Sequence, residues 1–479
     1  MTTRAIDRTE LGAFAFLGAA TIGSVLAAFA TEMYYLALIP FGLLVAYTAV
    51  INFKLLYYFL LVSIPVSIEY YFSASLATDL PDEPLMVGLM LVTFIYILSN
   101  YKSLPTGFFA NFFIAALVLH LFWIFLSAIN SVDFVVSIKV FLAKTWYITT
   151  FCFLTAIVIR TQADIRKLFW CVYIPLTLLI IQVIVRHGMQ NFSFEQINDP
   201  MMPFFRNHVN YAAIVSIFLP FILWARQQYA AGTFKRRLLS ASVLLYVVAV
   251  YLSYTRTCYI ALLLLYPVYL VIRYRLMKPA LMGAGIVIAL VVGYLFTSNN
   301  YLKFAPEFEE TIIHDRFDDH LSSTFEGKDV SSMERVYRWV AATHMFKEHP
   351  YMGFGPGNFY PYYMRYTVSS FETYVSDNPE RSTTHNYALF LLSEQGTIGL
   401  AIFALLTVVI FAYGEKLYHR IDKKEDKQLV LYLLLMMAMI YVNLLLSDML
   451  ESDKVGPFFF IGLALLAAAE IRNRRLLKA

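Results

Sequence analysis

Charged residues are scarce in this sequence. Asp, Glu, Lys and Arg make up 15% of the 479 residues, against about 25% in ordinary soluble domains. Hydrophobic residues make up 59%, and apolar runs of about twenty residues, enough to cross a bilayer core about 30 Å thick, recur from end to end. No soluble core needs so much uninterrupted apolar sequence. The composition therefore predicts an integral membrane protein.

Cysteine is also rare. The only three cysteines are Cys152, Cys171 and Cys258, and their spacing fits neither a disulfide framework nor a zinc site. No nucleic-acid-binding motif is present, so we expect no nucleic-acid partner.

The apolar runs predict the number of membrane spans. Hydropathy indicates spans at about residues 11–30, 33–51, 54–72, 84–99, 108–129, 139–160, 168–186, 208–225, 238–254, 257–273, 279–297, 386–413, 429–447 and 456–471. Another apolar run starts near Met33, so the first run is interpreted as a retained span rather than a cleaved signal peptide. Each span must be helical, because lipid offers no partners to open backbone groups. We predict an all-α integral membrane protein, a polytopic bundle of about 12–14 transmembrane helices with one long, partly helical external loop.

The distribution of Lys and Arg predicts the orientation, because cytoplasmic loops are enriched in both. With the N-terminus in the cytoplasm, nearly every basic cluster falls on the cytoplasmic side and both termini are cytoplasmic. The predicted divisions are N-terminal transmembrane helices over residues 1–297, with a short external segment at 187–207, an external loop domain at 298–385, and C-terminal transmembrane helices at 386–479.

The long external loop has signals of folded structure. Ser331-Ser332-Met333-Glu334 is a capping-box pattern that predicts a helix running to about Lys347. Pro350 ends this helix, and Gly353-Phe354-Gly355-Pro356-Gly357 predicts a turn back to the membrane rather than a phosphate-binding loop.

Four arginines lie on the external side, against the positive-inside trend. Arg206 precedes a span, Arg256 lies in a tight turn between two spans, and Arg335 and Arg338 share one face of the predicted loop helix, with Trp339 beside them. The planar guanidinium suits phosphate oxygens, so four such groups at one surface predict a diphosphate site. The ordinary alternative is that each arginine reaches toward lipid headgroups.

Two residues near the end of the loop are further candidates. His385, followed by Asn386, lies where the loop meets a span, and its imidazole there can act as a general base on a hydroxyl. His208 precedes another span and is a weaker candidate. Glu394 lies deeper in the span of His385, where a structural hydrogen bond is the favoured interpretation. Asp448, Glu451 and Asp453 lie at an outer helix end and favour solvated, exposed carboxylates over a metal site, so no metal is expected.

Three motifs follow one another along the chain. The first is the turn Ser253-Tyr254-Thr255-Arg256-Thr257, the second runs from Arg335 to the sequence Gly353-Phe354-Gly355-Pro356-Gly357-Asn358-Phe359, and the third is His385-Asn386 followed by Glu394, Gly396 and Gly399. Together with a looser element at Arg206–Asn210, they cover roughly residues 200–400. In this order they resemble the O-antigen ligase and polymerase superfamily of polytopic bacterial glycosyltransferases. One departure is Tyr254-Thr255, where many members have a plain Ser-Arg pair.

This resemblance implies an inverting, GT-C-like glycosyl transfer at the periplasmic face of the bacterial inner membrane, without a metal or other cofactor. It implies a glycan donor on undecaprenyl diphosphate and, for a ligase, a lipid A–core oligosaccharide as acceptor. His385 is then the expected base, and Arg206, Arg256, Arg335 and Arg338 the expected diphosphate ligands. Supporting roles are expected for His208, Asn386, Glu394 and Trp339.

Four other functions remain open from the sequence. An O-antigen polymerase or a protein O-oligosaccharyltransferase shares the donor chemistry and differs in the acceptor. A lipid or solute transporter is a different class, but its usual internal repeats and interrupted spans are not evident. A structural scaffold leaves the one-sided arginines unexplained. We favour the ligase.

Overall fold

The computed structural model describes residues 8–33, 36, 39–73, 76–100, 107–304, 330–373, 376–378 and 381–476. In chain order its helices are α1 (Arg8–Thr31), α2 (Ile39–Ser63), α3 (Asp82–Ser99), α4 (Phe112–Ile129), α5 (Phe134–Ile148), α6 (Thr155–Val158), α7 (Gln162–Met189), α8 (His208–Gln227), α9 (Phe234–Tyr251), α10 (Arg256–Arg273), α11 (Met277–Phe296), α12 (Val330–Glu348), α13 (Phe359–Tyr362), α14 (Tyr387–Val408), α15 (Gly414–Arg420), α16 (Lys424–Leu444) and α17 (Gly456–Leu476). One antiparallel hairpin joins β1 (Ile68–Ser73) to β2 (Leu76–Leu80).

The predicted fold class is confirmed. Within the described residues, eleven helices are long and apolar enough to cross a membrane. Two of them contain a π-helical turn, which joins α5 to α6 and α14 to α15 into the continuous spans Phe134–Val158 and Tyr387–Arg420. Helix α9 is as long as the shortest of these spans, and its first turn carries Lys235, Arg236 and Arg237.

The expected pair of spans near residues 33–51 and 54–72 is wrong. One helix, α2, replaces both, with a kink at Asn52 (φ −153°, ψ 72°), and the chain then leaves the helix for the hairpin. Pro65 explains the end of the helix, because proline has no N–H to donate and its ring clashes with the preceding turn. Merging two expected spans into one changes whether the number of membrane crossings is odd or even, and therefore whether the two chain ends lie on the same side.

Whether the total number of membrane crossings is odd or even depends on α1. If α9 and the eleven candidate spans all cross, the start of α2 and the C-terminal end of α17 lie on the same side of the membrane. If α1 also crosses, the two chain ends lie on opposite sides. The prediction that both termini are cytoplasmic therefore stays a prediction, and residues 1–7 lie outside the described part of the chain.

The bundle has a buried centre and an exposed edge. Helices α17 and α8 are the most enclosed, with 89% and 78% of their apolar stretches buried, whereas none of the apolar stretch of α11 is buried. An apolar helix whose surface is so little covered by protein suits a lipid-facing position.

The long loop before α14 forms its own small core at one end of the bundle, which we call the loop end. Helix α12 matches the capping-box prediction, and its buried face packs on Phe354, Phe359, Tyr363 and Phe371 from the later part of the loop. Residues 305–329 of the predicted loop domain lie outside the described residues.

Candidate active site

A buried ion pair anchors the loop helix. Glu334 and Arg338 are 5% and 7% exposed, and Glu334 Oε2 lies 3.6 Å from Nη1 of Arg338. The other oxygen of Glu334 accepts hydrogen bonds from the hydroxyls of Thr373, at 2.5 Å, and Ser376, at 2.6 Å. Because a buried charge is costly unless it is paired and hydrogen-bonded, these contacts fix the position of the Arg338 guanidinium. The sequence signalled Glu334 only as part of the capping box.

His385 is held in an unusual backbone conformation. Its φ is 49°, in the left-handed region that non-glycine residues seldom adopt. The preceding residue is fixed on both sides, because the indole of Trp339 donates to the carbonyl of Thr384 at 2.8 Å and the Thr384 hydroxyl donates to the carbonyl of Asn386 at 2.8 Å. Backbone strain of this kind persists only where the surroundings over-determine it, as at active sites.

Asn386 orients the helix that follows. Its side-chain oxygen accepts from the backbone N–H of Leu389 at 3.0 Å and so caps the N-terminus of α14. Its amide also donates to the carbonyl of Leu445 at the end of α16, at 3.0 Å. Asn386 therefore positions the His385 segment relative to two helices.

Asp448 faces the imidazole of His385. The distance from His385 Nδ1 to Asp448 Oδ1 is 3.8 Å, and the hydroxyl of Thr383 donates to the other carboxylate oxygen. Burial raises the pKa of Asp448, and this effect outweighs the opposing hydrogen bond from Thr383. Sequence reasoning had placed Asp448 only among exposed carboxylates, because nothing in the local sequence links it to His385.

Three of the four predicted arginines lie around this pair. Burial, and then the positive charges of Arg338 and Arg335, lower the pKa of His385 to about 3. The charges of Arg338 and Arg206 also act on Asp448, where both lower the pKa. The positive charges of the loop helix and of the segment before α8 therefore both act on this pair.

Arg206 is engaged by the hairpin. Its Nε donates to Oε2 of Glu69 in β1 at 2.7 Å, and its Nη2 donates to the second oxygen of the same carboxylate. The arginine side chain is 69% exposed. A guanidinium that donates two hydrogen bonds to one carboxylate can bind two oxygens of a phosphate in the same bidentate geometry.

Arg256 is the first residue of α10, at the same end of the bundle. Two residues further on, the thiol of Cys258 donates to the side-chain oxygen of Asn443 in α16, at 3.5 Å. Asn443 lies only five residues before Asp448. This contact therefore places the start of α10 beside the end of α16, close to the segment that carries Asp448.

Glu394 holds the glycine turn against α14. Its two carboxylate oxygens accept from the backbone N–H groups of Gly357, at 2.8 Å, and Phe359, at 3.0 Å. Its backbone carbonyl accepts from the N–H of Gly355 at 2.8 Å. These N–H groups are thus directed at α14, as in a docking turn, and Glu394 has the contacts of a structural hydrogen-bond acceptor.

His208 belongs to the connection before α8. Its Nδ1 lies 3.0 Å from the side-chain oxygen of Asn198, and its backbone N–H donates to the same oxygen at 3.0 Å. These contacts place it at the helix start, where it organises the segment that carries Arg206.

The acidic residues after α16 contact amines. Glu451 lies 2.6 Å from Lys144 Nζ and accepts from the hydroxyl of Tyr387, while Asp453 lies 3.0 Å from Lys454 Nζ. Among the residues that the structure describes, no group of three or more His, Cys, Asp or Glu side chains is arranged to hold a metal ion. The metal-independent reaction stays a prediction.

The family resemblance inferred from the motifs is confirmed by comparison. Residues 241–404 match a family model described as O-antigen ligase. This range extends from α9 through most of α14 and includes Arg256, Arg335, Arg338, His385 and Glu394, whereas Arg206 and His208 precede it. A comparison with curated proteins finds no match.

Proposed function

We propose that the protein is an O-antigen ligase that transfers a glycan from undecaprenyl diphosphate to lipid A–core oligosaccharide, at the periplasmic face of the bacterial inner membrane. The family match supports a glycosyltransferase-like role in O-antigen synthesis. One observation carries the specific reaction. The hydrogen bond from Trp339 to the carbonyl of Thr384 holds His385 beside the loop helix that carries Arg335 and Arg338, and the charges of both arginines help to lower its pKa.

The arrangement separates the two tasks of glycosyl transfer. The arginines bind the diphosphate and stabilise the negative charge that develops as the bond between the anomeric carbon and the phosphate oxygen breaks. His385 accepts the proton of the acceptor hydroxyl while that oxygen bonds to the anomeric carbon from the opposite side. Undecaprenyl diphosphate leaves with the bonding electron pair, and the configuration at the anomeric carbon is inverted.

Donor binding also makes His385 a stronger base. Burial, and then the positive charges of Arg338 and Arg335, lower the pKa of the imidazole. A diphosphate bound to these arginines compensates their charge, which raises the pKa of the imidazole toward its ordinary value. Base strength therefore increases when the donor is in place.

The test is transfer by the purified full-length protein in lipid vesicles, with EDTA present. A polyprenyl-diphosphate glycan is supplied together with lipid A–core, and the products are identified by mass spectrometry. We expect glycan on lipid A–core. Glycan that lengthens only on the carrier lipid would instead identify a polymerase, and product that requires added divalent metal would contradict the metal-independent mechanism.

A further inference from the structure

An open cavity of about 290 Å³ lies beside the pair formed by His385 and Asp448. It is bounded by α5, the glycine turn, the first turns of α14 and the connection between α16 and α17. Thr383 and Asp448 form part of its wall, and Asp448 Oδ1 is 3.8 Å from the His385 imidazole. A molecule bound in the cavity therefore contacts Asp448, the carboxyl group that faces the proposed base.

The wall combines apolar surface with a few polar groups, as ligand sites do. Tyr147, Tyr360, Phe390 and Leu450 supply aromatic and aliphatic surface. The polar part of the wall consists of Lys144, Thr383, Glu394, Asp448 and Glu451. This mixture suits a ring that has apolar C–H faces and polar hydroxyl edges.

The charges in this wall are unsuited to phosphate. Three carboxylates, those of Glu394, Asp448 and Glu451, face one ammonium group, that of Lys144, which lies 2.6 Å from Glu451. Burial raises the pKa of Asp448, and the Lys144 ammonium is already paired with Glu451, so the wall offers a phosphate no unpaired cation. The cavity therefore disfavours an anion, whereas the arginines around His385 favour one, so the two regions select different parts of the substrates.

Glu451 is a fixed hydrogen-bond acceptor within the cavity. Its Oε2 accepts from Lys144 at 2.6 Å and its Oε1 accepts from the hydroxyl of Tyr387 at 2.9 Å. Each carboxylate oxygen has a second lone-pair direction, so both can still accept a bond from a ligand hydroxyl. Because two partners already hold it in place, little further ordering is needed when a ligand binds.

We infer that this cavity binds one uncharged sugar residue of the acceptor and presents its hydroxyl to His385. The inference rests on the proposed transfer reaction and adds the class of acceptor, a saccharide without charge at the reacting residue. The volume lies at the small end of ligand sites, which begin at about 300 Å³, and so suits a single ring rather than a longer chain.

Direct binding tests this inference without requiring turnover. The probe is a free oligosaccharide whose terminal residue is an unsubstituted hexose, added to full-length protein and followed by saturation-transfer NMR and calorimetry. We expect Glu451→Gln, which keeps the size but removes the charge, to weaken binding roughly tenfold. Ala143→Phe projects a ring into the cavity and should abolish binding. Donor binding should be unchanged in both variants.

The matched control is Glu425→Gln, because Glu425 lines a separate cavity of about 390 Å³ with Gln227, Arg236 and Lys424, at the opposite end of the bundle. This variant should bind the oligosaccharide as wild type does. A probe phosphorylated on the terminal hexose should bind at least about tenfold more weakly than the neutral probe, because burying a phosphate without a free cationic partner is costly.

Equal binding by wild type and both cavity variants, or tighter binding of the phosphorylated probe, would overturn the inference. The same experiments distinguish failure of this inference from failure of the proposed function. Transfer to lipid A–core with no effect of the cavity variants would leave the ligase standing and remove this site. Oligosaccharide binding that depends on Glu451, without transfer to lipid A–core, would keep the site and redirect the search for the acceptor.

Discussion

The indole N–H of Trp339 donates a hydrogen bond to the backbone carbonyl of Thr384, with a distance of 2.8 Å. This bond joins the helix that carries Arg335 and Arg338 to the residue immediately before His385. The proposed diphosphate ligands and the proposed base therefore have a fixed spacing, although the chain between them passes through the glycine turn. Their relative position is a property of this bond and of the packing of α12 on α14.

Removing this bond should slow catalysis without weakening donor binding. Trp339→Phe keeps an aromatic ring but no donor, so we expect kcat to fall roughly tenfold, while the KM for donor changes little, because a neutral hydrogen bond contributes about 1 kcal/mol. Steady-state kinetics in vesicles measures both. Trp170→Phe is the matched control, since it removes an indole donor bound to Tyr229 at the other end of the bundle. An equal decrease of kcat in the two variants would show that the hydrogen bond of Trp339 has no specific role in catalysis.

The glycine turn should not tolerate a side chain at Gly355. This residue has φ +97°, and a Cβ there would lie 2.0 Å from Cβ of Ser131. Gly232 has a similar φ of +84° with no atom within 4 Å of such a Cβ. Both alanine variants carry the cost of left-handed backbone, about 1 kcal/mol, and only Gly355→Ala adds the clash.

We therefore expect Gly355→Ala to lower the thermal unfolding midpoint by several degrees more than Gly232→Ala does. The measurement is unfolding of the detergent-purified variants, followed by intrinsic fluorescence. Similar midpoints for the two variants would contradict the docking of the turn against the connection between α4 and α5.

The lowered pKa of His385 predicts a particular pH profile. With a pKa of about 3, the imidazole of the free enzyme stays deprotonated throughout the neutral and mildly acid range. The value of kcat/KM should therefore not fall between about pH 7.5 and 5.5 through protonation of a histidine with an ordinary pKa of about 6.5. Removing a nearby positive charge favours the protonated imidazole, so Arg335→Gln should move the acid limb to higher pH.

Initial rates at low substrate concentration, measured from about pH 3 to 8, test both expectations. A wild-type acid limb near pH 6.5 that is unchanged in Arg335→Gln would show that the arginine field does not reach His385.

The sequence was informative wherever the signal was local. The capping box at Ser331–Glu334 and the stop at Pro350 predicted α12, and the glycines after Pro350 predicted the turn behind it. Hydropathy was less informative near residues 54–72, because it reports apolar content and not where the chain leaves the membrane. In that region Pro65 was the residue that indicated the end of the helix.

Contacts between distant segments could not be predicted. The position of Asp448 beside His385 depends on how α14 and α16 pack, and the position of Glu69 beside Arg206 depends on the hairpin. Neither pair has any spacing or pattern that marks it in the sequence. The candidate residues themselves were identifiable, because charged and histidine side chains are rare among apolar runs.

The orientation of the chain is a separate prediction. In a background without the three native cysteines, cysteines introduced at Gly232, between α8 and α9, and at Ser369, in the loop, should fall on opposite sides. A membrane-impermeant maleimide added to spheroplasts should label position 369 and leave position 232 unlabelled until the membrane is opened. The reverse pattern would place the candidate site in the cytoplasm, and a third probe at residue 3 reports whether α1 crosses.

The most direct measurement is the transfer rate of His385→Gln in vesicles, beside wild type and His349→Gln. His349 is the control because it follows the same loop helix and its side chain is 44% exposed. The account predicts that His385→Gln transfers glycan to lipid A–core at least about a hundredfold more slowly, as loss of a general base requires. Donor binding should be retained, and His349→Gln should resemble wild type. A His385→Gln rate within a few-fold of wild type would contradict the assignment of His385 as the base.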